Sequence, residues 1–276
     1  MNNRAAHPKL LKSDGQLETF HPEKLRASLE ATGAGGDVID EVLREIQNHA
    51  GDPLSTRQIY NIAFRRLRKS APGSAGRYRL KRAIFELGPS GFPFEHFVGA
   101  LFAQQGFDVE VGILLDGVCV THEVDVLATK GKISRLIECK FHRTPSRKST
   151  IQVPLYIHAR FEDIRKSAKR NTAKIEGWLF TNTRFSADAL DYGRCVGLNM
   201  VDWEHPRTGS LKQRIDGSGL HPLTCLTSLN KAEKQQILKE GWVLCRDLNA
   251  QMLTEFNLSE GKISSVLQEC DGILSL

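Results

Sequence analysis

A run of six residues, Gly88-Pro89-Ser90-Gly91-Phe92-Pro93, divides the sequence into two stretches that cannot be one repeating architecture. Two prolines and two glycines in so short a segment stop a helix or strand. Before it, apolar residues recur at the helical period. Lys9–Phe20 reads as a hairpin turning at Ser13-Asp14-Gly15. His21-Pro22-Glu23 opens a helix running through Leu25 and Leu29, with proline in the tolerated first turn. A second helix over Val38–His49 gathers Val38, Val42, Leu43 and Ile46 on one face. Ser55-Thr56 caps a third, whose apolar stripe is Ile59, Ile62, Ala63 and Leu67. A fourth is expected over Ala75–Leu87.

Beyond the break the period changes. Phe94, Phe97, Val98, Leu101 and Phe102 mark one helix, ending at Gln105-Gly106. Strands follow at 107–114, 118–128 and 133–141. A helix over 158–173, a strand at Trp178–Thr181, a helix over 186–197 and a strand at 198–203 complete an alternation that implies a mixed sheet flanked by helices. Residues 220–276 are polar, helical and balanced in charge, which favours protein packing over a charged site. The expectation is an α+β multidomain chain: a four-helix bundle with a β-hairpin cap over 1–88, an α/β sheet domain over 89–205 and a small helical C-terminal unit over 206–276.

The charge is uneven. The 276 residues carry a formal charge of +6, yet segment 140–174 alone holds ten Lys/Arg against Glu162 and Asp163, a local +8. Immediately upstream, 87–139 holds seven acids against three bases. A localised basic stretch suits a polyanion, and its bland counterpart is a solvated helix face. The globular composition excludes disorder, and no apolar run approaches the ~20 residues of a membrane helix. The first ten residues lack a signal-peptide core, so a cytoplasmic protein with no membrane partner is expected. The six cysteines form no C-x-x-C pair, and the nine histidines no H-x-x-x-H, which argues against zinc and for free thiols.

The stretch with chemical content is His122-Glu123-Val124-Asp125, followed by Ile137-Glu138-Cys139-Lys140. Alternation on a strand puts Glu138 and Lys140 on one face, with Asp125 on the preceding strand in cross-strand reach. Neighbouring carboxylates repel unless a proton or cation intervenes. A hard cation such as Mg²⁺ takes one or two carboxylates and completes its shell with water and phosphate oxygens. Two amphipathic strands with solvent-facing charges give the same spacing, so the spacing alone leaves both readings open.

These residues, with Phe94-Glu95-His96-Phe97-Val98, Gly106-Phe107-Asp108-Val109, Leu179-Phe180-Thr181-Asn182 and Val201-Asp202, resemble the Mrr-like restriction-endonuclease group of the PD-(D/E)xK superfamily over roughly 90–205. The resemblance implies a DNA phosphodiesterase with Asp125 and Glu138 as ligands of Mg²⁺ (Mn²⁺ being the alternative) and Lys140 as catalytic lysine. Glu95 matches the group's auxiliary acid, and Gln152-x-x-x-Tyr156 matches a glutamine position of related nucleases. Val124-Asp125 replaces the usual Pro-Asp. His142, Arg143, Arg147, Lys148, Arg165, Lys169 and Arg170 are the expected DNA-binding residues.

A second resemblance covers 9–87. Leu11-Lys12-Ser13-Asp14-Gly15, Glu18, Phe20, Lys24-Leu25, Ser55-Thr56-x-x-Ile59, Tyr78-Arg79 and Ala83-Ile84-Phe85 look like an ATP-cone, a family that binds ATP or dATP as an allosteric ligand. Lys12, Glu18, His21, Lys24 and Thr56 match its nucleotide-contacting positions, while Ser13 departs from the basic residue usual there. The two resemblances together imply a Mg²⁺-dependent DNA endonuclease, a dimer or tetramer, regulated or assembled by adenine nucleotide. The alternatives are a non-catalytic, nucleotide-responsive DNA-binding regulator and a structure-specific nuclease acting on junctions or damaged DNA. Paired carboxylates near phosphate disfavour the pure binder, and the missing C-x-x-C pairs disfavour a cone joined to a zinc ribbon.

Overall fold

A small three-stranded sheet draws its strands from the N-terminal part of the chain in a computed structural model that describes residues 9–11, 15–49, 53–167 and 174–275. β1 (Lys9–Leu11) pairs antiparallel with β2 (Leu17–Thr19) and parallel with β3 (Leu54–Ser55). α1 (Pro22–Glu30) has proline in its first turn and buries Leu25 and Leu29. α2 (Gly36–Gln47) buries Ile39, Val42, Leu43 and Ile46, the three- and four-residue spacing of one helix face. α3 (Thr56–Ser70) starts with a capping box: the Ser55 hydroxyl accepts from Gln58 N–H, and the Gln58 side chain accepts from Ser55 N–H.

The expected fourth helix is two short ones, α4 (Pro72–Tyr78) and α5 (Leu80–Phe85). Arg79 caps α4 at φ −86°, ψ 4°, outside the helical well. α4 is fixed from several sides. Tyr78 stacks on Tyr60 at 5.2 Å, and Arg77 donates to the carbonyls of Thr32, Gly272 and Ile273. The last two belong to α12 (Glu260–Leu274), which lies so close to α4 that a Cβ on Gly73 would fall 2.1 Å from Gly272 O. Buried Glu269, also on α12, accepts the backbone N–H groups of Thr227 and Ser228 at 2.7 and 2.8 Å. One compact unit therefore comprises Met1–Leu80, Cys225–Asn230 and Asn249–Leu276. Its C-terminal segments also contain α11 (Ala250–Glu255).

The other unit is Lys81–Thr224 with Lys231–Leu248. α6 (Phe92–Ala103) leads to the meander β4 (Asp108–Asp116), β5 (Thr121–Lys130) and β6 (Ile133–Lys140). β7 (Lys148–Ser149) and α7 (Gln152–Ser167) carry the chain over to β8 (Lys174–Thr181). Then come β9 (Arg184–Phe185), α8 (Ala187–Cys195), β10 (Asn199–Val201), α9 (Leu211–Ser218) and α10 (Lys231–Lys239). The sheet runs β10-β8-β6-β5-β4, antiparallel through β4, β5 and β6 and parallel through β6, β8 and β10.

Parallel register sets Glu138 beside Leu179 and Cys139 beside Phe180. Leu136 and Leu179 pack with Ile157, Phe161 and Ile164 of α7, so that face belongs to α7. Trp178 and Phe180 meet Phe102 of α6 edge-on, so the opposite face belongs to α6. Glu138 therefore faces α7. Residues 206–276, expected as one appendage, are shared: α9 and α10 belong to the sheet unit, α11 and α12 to the helical one. Among the described residues, no helix is long and apolar enough to cross a membrane, and all six cysteines are free thiols.

Candidate active site

The ladder between β5 and β6 runs from Lys130↔Ile133 to Val126↔Ile137 and stops. One residue further, a side chain takes over from the backbone: Asp125 Oδ2 accepts the Cys139 N–H at 2.7 Å. The strands part at that point, and the charged side chains gather at the gap. Glu138 is buried on β6, while Lys140, two residues on, is exposed with its carbonyl accepting from Thr181 Oγ1 at 2.8 Å. Glu95 comes from the first turn of α6.

These carboxylates feel one another. Burial pushes Glu138 up to about 7, helped by the Asp125 charge and opposed by Arg160 and Lys140. Burial also raises Asp125, against the stabilising Cys139 N–H and the Arg160 charge. Glu95 is pushed up to about 7 by burial and then by the charges of Asp125 and Glu123. Cys139 points into the core, where burial drives its thiol well above the ordinary value and out of reactive use. Glu95, Asp125, Glu138 and Lys140 thus lie close enough for their charges to act on one another.

Among the described residues, no group of three or more His, Cys, Asp or Glu side chains forms a ready metal cage. The donor set is instead a carboxylate pair. It fits a hard cation that keeps water and phosphate oxygens as its other ligands, because a cation there offsets the burial that raises each carboxyl and the Asp125 charge that adds to it at Glu138.

Arg160 is the site residue that the sequence reading missed as a site residue. Its Nη1 donates to Glu138 Oε2 at 2.7 Å and to Glu123 O at 3.1 Å, and its Nη2 donates to the Tyr156 hydroxyl. The guanidinium lies 4.7 Å from the centre of the Tyr156 ring. The signal was present: Gln152, Tyr156 and Arg160 repeat at four-residue intervals along one side of α7. Gln152 itself is exposed at the helix start, with Oε1 3.4 Å from Thr150 Oγ1.

The basic segment does not form a uniform wall. His142 is 8% exposed; its Nε2 meets Ser149 Oγ at 2.8 Å, and its N–H and C=O are both held by the Asn182 side chain. Burial lowers its pKa, and its hydrogen bonds to Ser149 and Asn182 hold it inside the fold instead of on the exposed surface expected of it. Arg165 lies over Gly177 in the helix–sheet packing and pairs with Glu162 at 2.5 Å, and so it too departs from the expected DNA surface. Arg143, Arg147 and Lys148 are exposed just beyond Lys140, Arg143 donating to Pro89 O. Lys169 and Arg170 lie outside the described residues.

In the helical unit, Glu18, His21, Lys24 and Thr56 are all exposed. Leu10 pairs with both Glu18 and Leu54, which brings the start of α3 alongside the hairpin. His21 Nδ1 is 2.9 Å from Glu23 Oε1. Lys12 lies outside the described residues.

A family model described as AF1548-like, C-terminal, matches residues 221–274. An uncharacterized protein of Archaeoglobus fulgidus is 31% identical over 177 residues, 63% of this chain and 98% of the relative. The crystal structure of AF1548, a protein of unknown function, is 30% identical and covers 67% of this chain and 98% of its own, at a TM-score of 0.57. Can2 from Sulfobacillus thermosulfidooxidans, in complex with cyclic tetra-adenylate, is 13% identical over 71% of this chain and 50% of its own, with a TM-score of 0.34, too low to define a shared fold.

Proposed function

The chain belongs to the AF1548-like family, and on the geometry of its carboxylate pair we propose that it is a Mg²⁺-dependent DNA endonuclease hydrolysing phosphodiester bonds. The observation that carries the reading is the parting of β5 and β6, where buried Glu138 and the Asp125 carboxylate converge beside exposed Lys140. Asp125 and Glu138 would hold the ion (Mg²⁺, or Mn²⁺ in its place), which supplies polarisation of the phosphoryl oxygen and a lowered pKa for the attacking water. Lys140 donates to the phosphate oxygens as charge develops on them. Glu95, raised to about 7, retains a proton up to neutrality and can exchange it with solvent in the site. Arg143, Arg147 and Lys148 meet the DNA backbone on the approach to Lys140.

Adenine nucleotide enters the proposal at the helical unit. Glu18, His21, Lys24 and Thr56 are exposed, and Leu10 pairs with both Glu18 and Leu54 beside the start of α3; ATP or dATP bound across these residues would regulate or assemble the enzyme. The test is supercoiled plasmid with Mg²⁺, with and without ATP or dATP. Nicking that responds to nucleotide supports both parts; equal nicking in every nucleotide condition removes the regulatory part; no nicking in any condition removes the nuclease.

A further inference from the structure

Arg160 leaves the outward course of its basic neighbours and enters the acidic gap. Its guanidinium is anchored at three points on three elements: Glu138 Oε2 of β6, Glu123 O of β5 and the Tyr156 hydroxyl of α7 itself. A buried carboxylate needs a counter-charge, but an ammonium would serve for that. A planar fork tied to a backbone carbonyl and a phenol does more, because it fixes which oxygen of Glu138 is used and in which plane. Glu138 Oε2 is committed to Arg160, as Asp125 Oδ2 is committed to the Cys139 N–H. The other oxygen of each carboxylate is the less encumbered one to offer a cation.

That restriction distinguishes between hard cations. Mg²⁺ accepts single carboxylate oxygens in a small octahedron and keeps several waters. Ca²⁺ collects six to eight oxygens, often both oxygens of one carboxylate. We propose that Arg160 is a positioning residue that confines Glu138 to one-oxygen ligation and so sets the preference of the site for Mg²⁺ over Ca²⁺. The inference rests on the reading of Asp125 and Glu138 as metal ligands.

The experiment is calorimetric titration of the full chain with MgCl₂ and, separately, CaCl₂, for wild type, Arg160→Met, Arg160→Lys and Tyr156→Phe. Loss of a positive charge strengthens attraction for both ions alike, so the readout is the ratio of the two affinities. Arg160→Met is expected to move that ratio toward Ca²⁺ by about tenfold or more. Arg160→Lys, which retains charge without the fork, and Tyr156→Phe, which loses one anchor, are expected to move it part of the way. Equal gains for both ions in Arg160→Met would reduce Arg160 to a counter-charge and overturn the proposal. Should Arg160→Met fail to fold, an unchanged ratio in both milder variants overturns it. Failure of the metal reading is a different result: a wild-type protein whose Mg²⁺ heat is unaltered by Asp125→Asn.

Discussion

Asp125 sits where a charge is costly to keep, partly buried and beside the carboxyls of Glu95 and Glu138. The cost falls most clearly on Glu138, whose carboxyl is raised from 4.5 to about 7. Between those values the folded chain holds a proton that the unfolded chain has released. Stability of the metal-free protein should therefore fall as pH rises from about 4.5 to 7. Asp125→Asn retains an oxygen for the Cys139 N–H but removes the repelling charge. Urea melts in EDTA should show a flatter pH slope in this variant and a gain of about 1–2 kcal/mol at pH 8. A slope identical to wild type would place the burden elsewhere. The alternation rule placed Glu138 and Lys140 on one face from sequence, whereas the spacing of Asp125 left its role open and only the family resemblance singled it out. Arg160 was hidden among ten basic residues, because net charge does not say which side chain turns inward.

At the scale of elements, two close approaches fix the frame around these residues. Asn182 is fully buried and holds both backbone groups of His142, joining the loop after β6 to the loop after β8. Asn182→Ala strands two buried backbone groups and should cost about 2–3 kcal/mol in a thermal or urea melt, and a loss under half of one would contradict that brace. Gly73 faces Gly272 with no room for a methyl. Gly73→Ala should destabilise the helical unit by about 1–3 kcal/mol, read by the same melts. Helical periodicity anticipated α1, α2 and α3, since each buries one regular stripe. It ran α4 and α5 together: the break at Arg79 adjoins Arg77 and Tyr78, whose partners Thr32, Gly272, Ile273 and Tyr60 are distant in sequence and invisible to a local period. Likewise α7 begins at Gln152, six residues before the expected helix, and buries Pro154 near its start.

Over the whole molecule, the chain interleaves its two units, and that is the part least accessible to linear reading. The Gly-Pro run at 88–93 marks where α5 ends and α6 begins, yet the change of unit falls at Leu80/Lys81. Residues 225–230 and 249–276 return to the helical unit through contacts such as Glu269 with Thr227 and Ser228, and nothing in their balanced composition announces it. The +8 segment also resolves into parts: Arg160 in the site, Arg165 in packing, and Arg143, Arg147 and Lys148 outward. If these last three carry the DNA, affinity should fall with salt at a log–log slope of about −0.9 per phosphate contact. Arg147→Ala with Lys148→Ala should then make the slope shallower by about two contacts, measured by fluorescence anisotropy across a KCl series. An unaltered slope would move the DNA to another surface.

The central claim is that Asp125, Glu138 and Lys140 cut DNA, and it is tested most directly by measuring single-turnover cleavage and DNA affinity together in Mg²⁺ for wild type, Asp125→Asn and Lys140→Ala. The account predicts that both variants lose at least about 100-fold in cleavage rate while binding the same DNA within about threefold of wild type. Cleavage at the wild-type rate in both variants, or no Mg²⁺-dependent cleavage by the wild type, would contradict it.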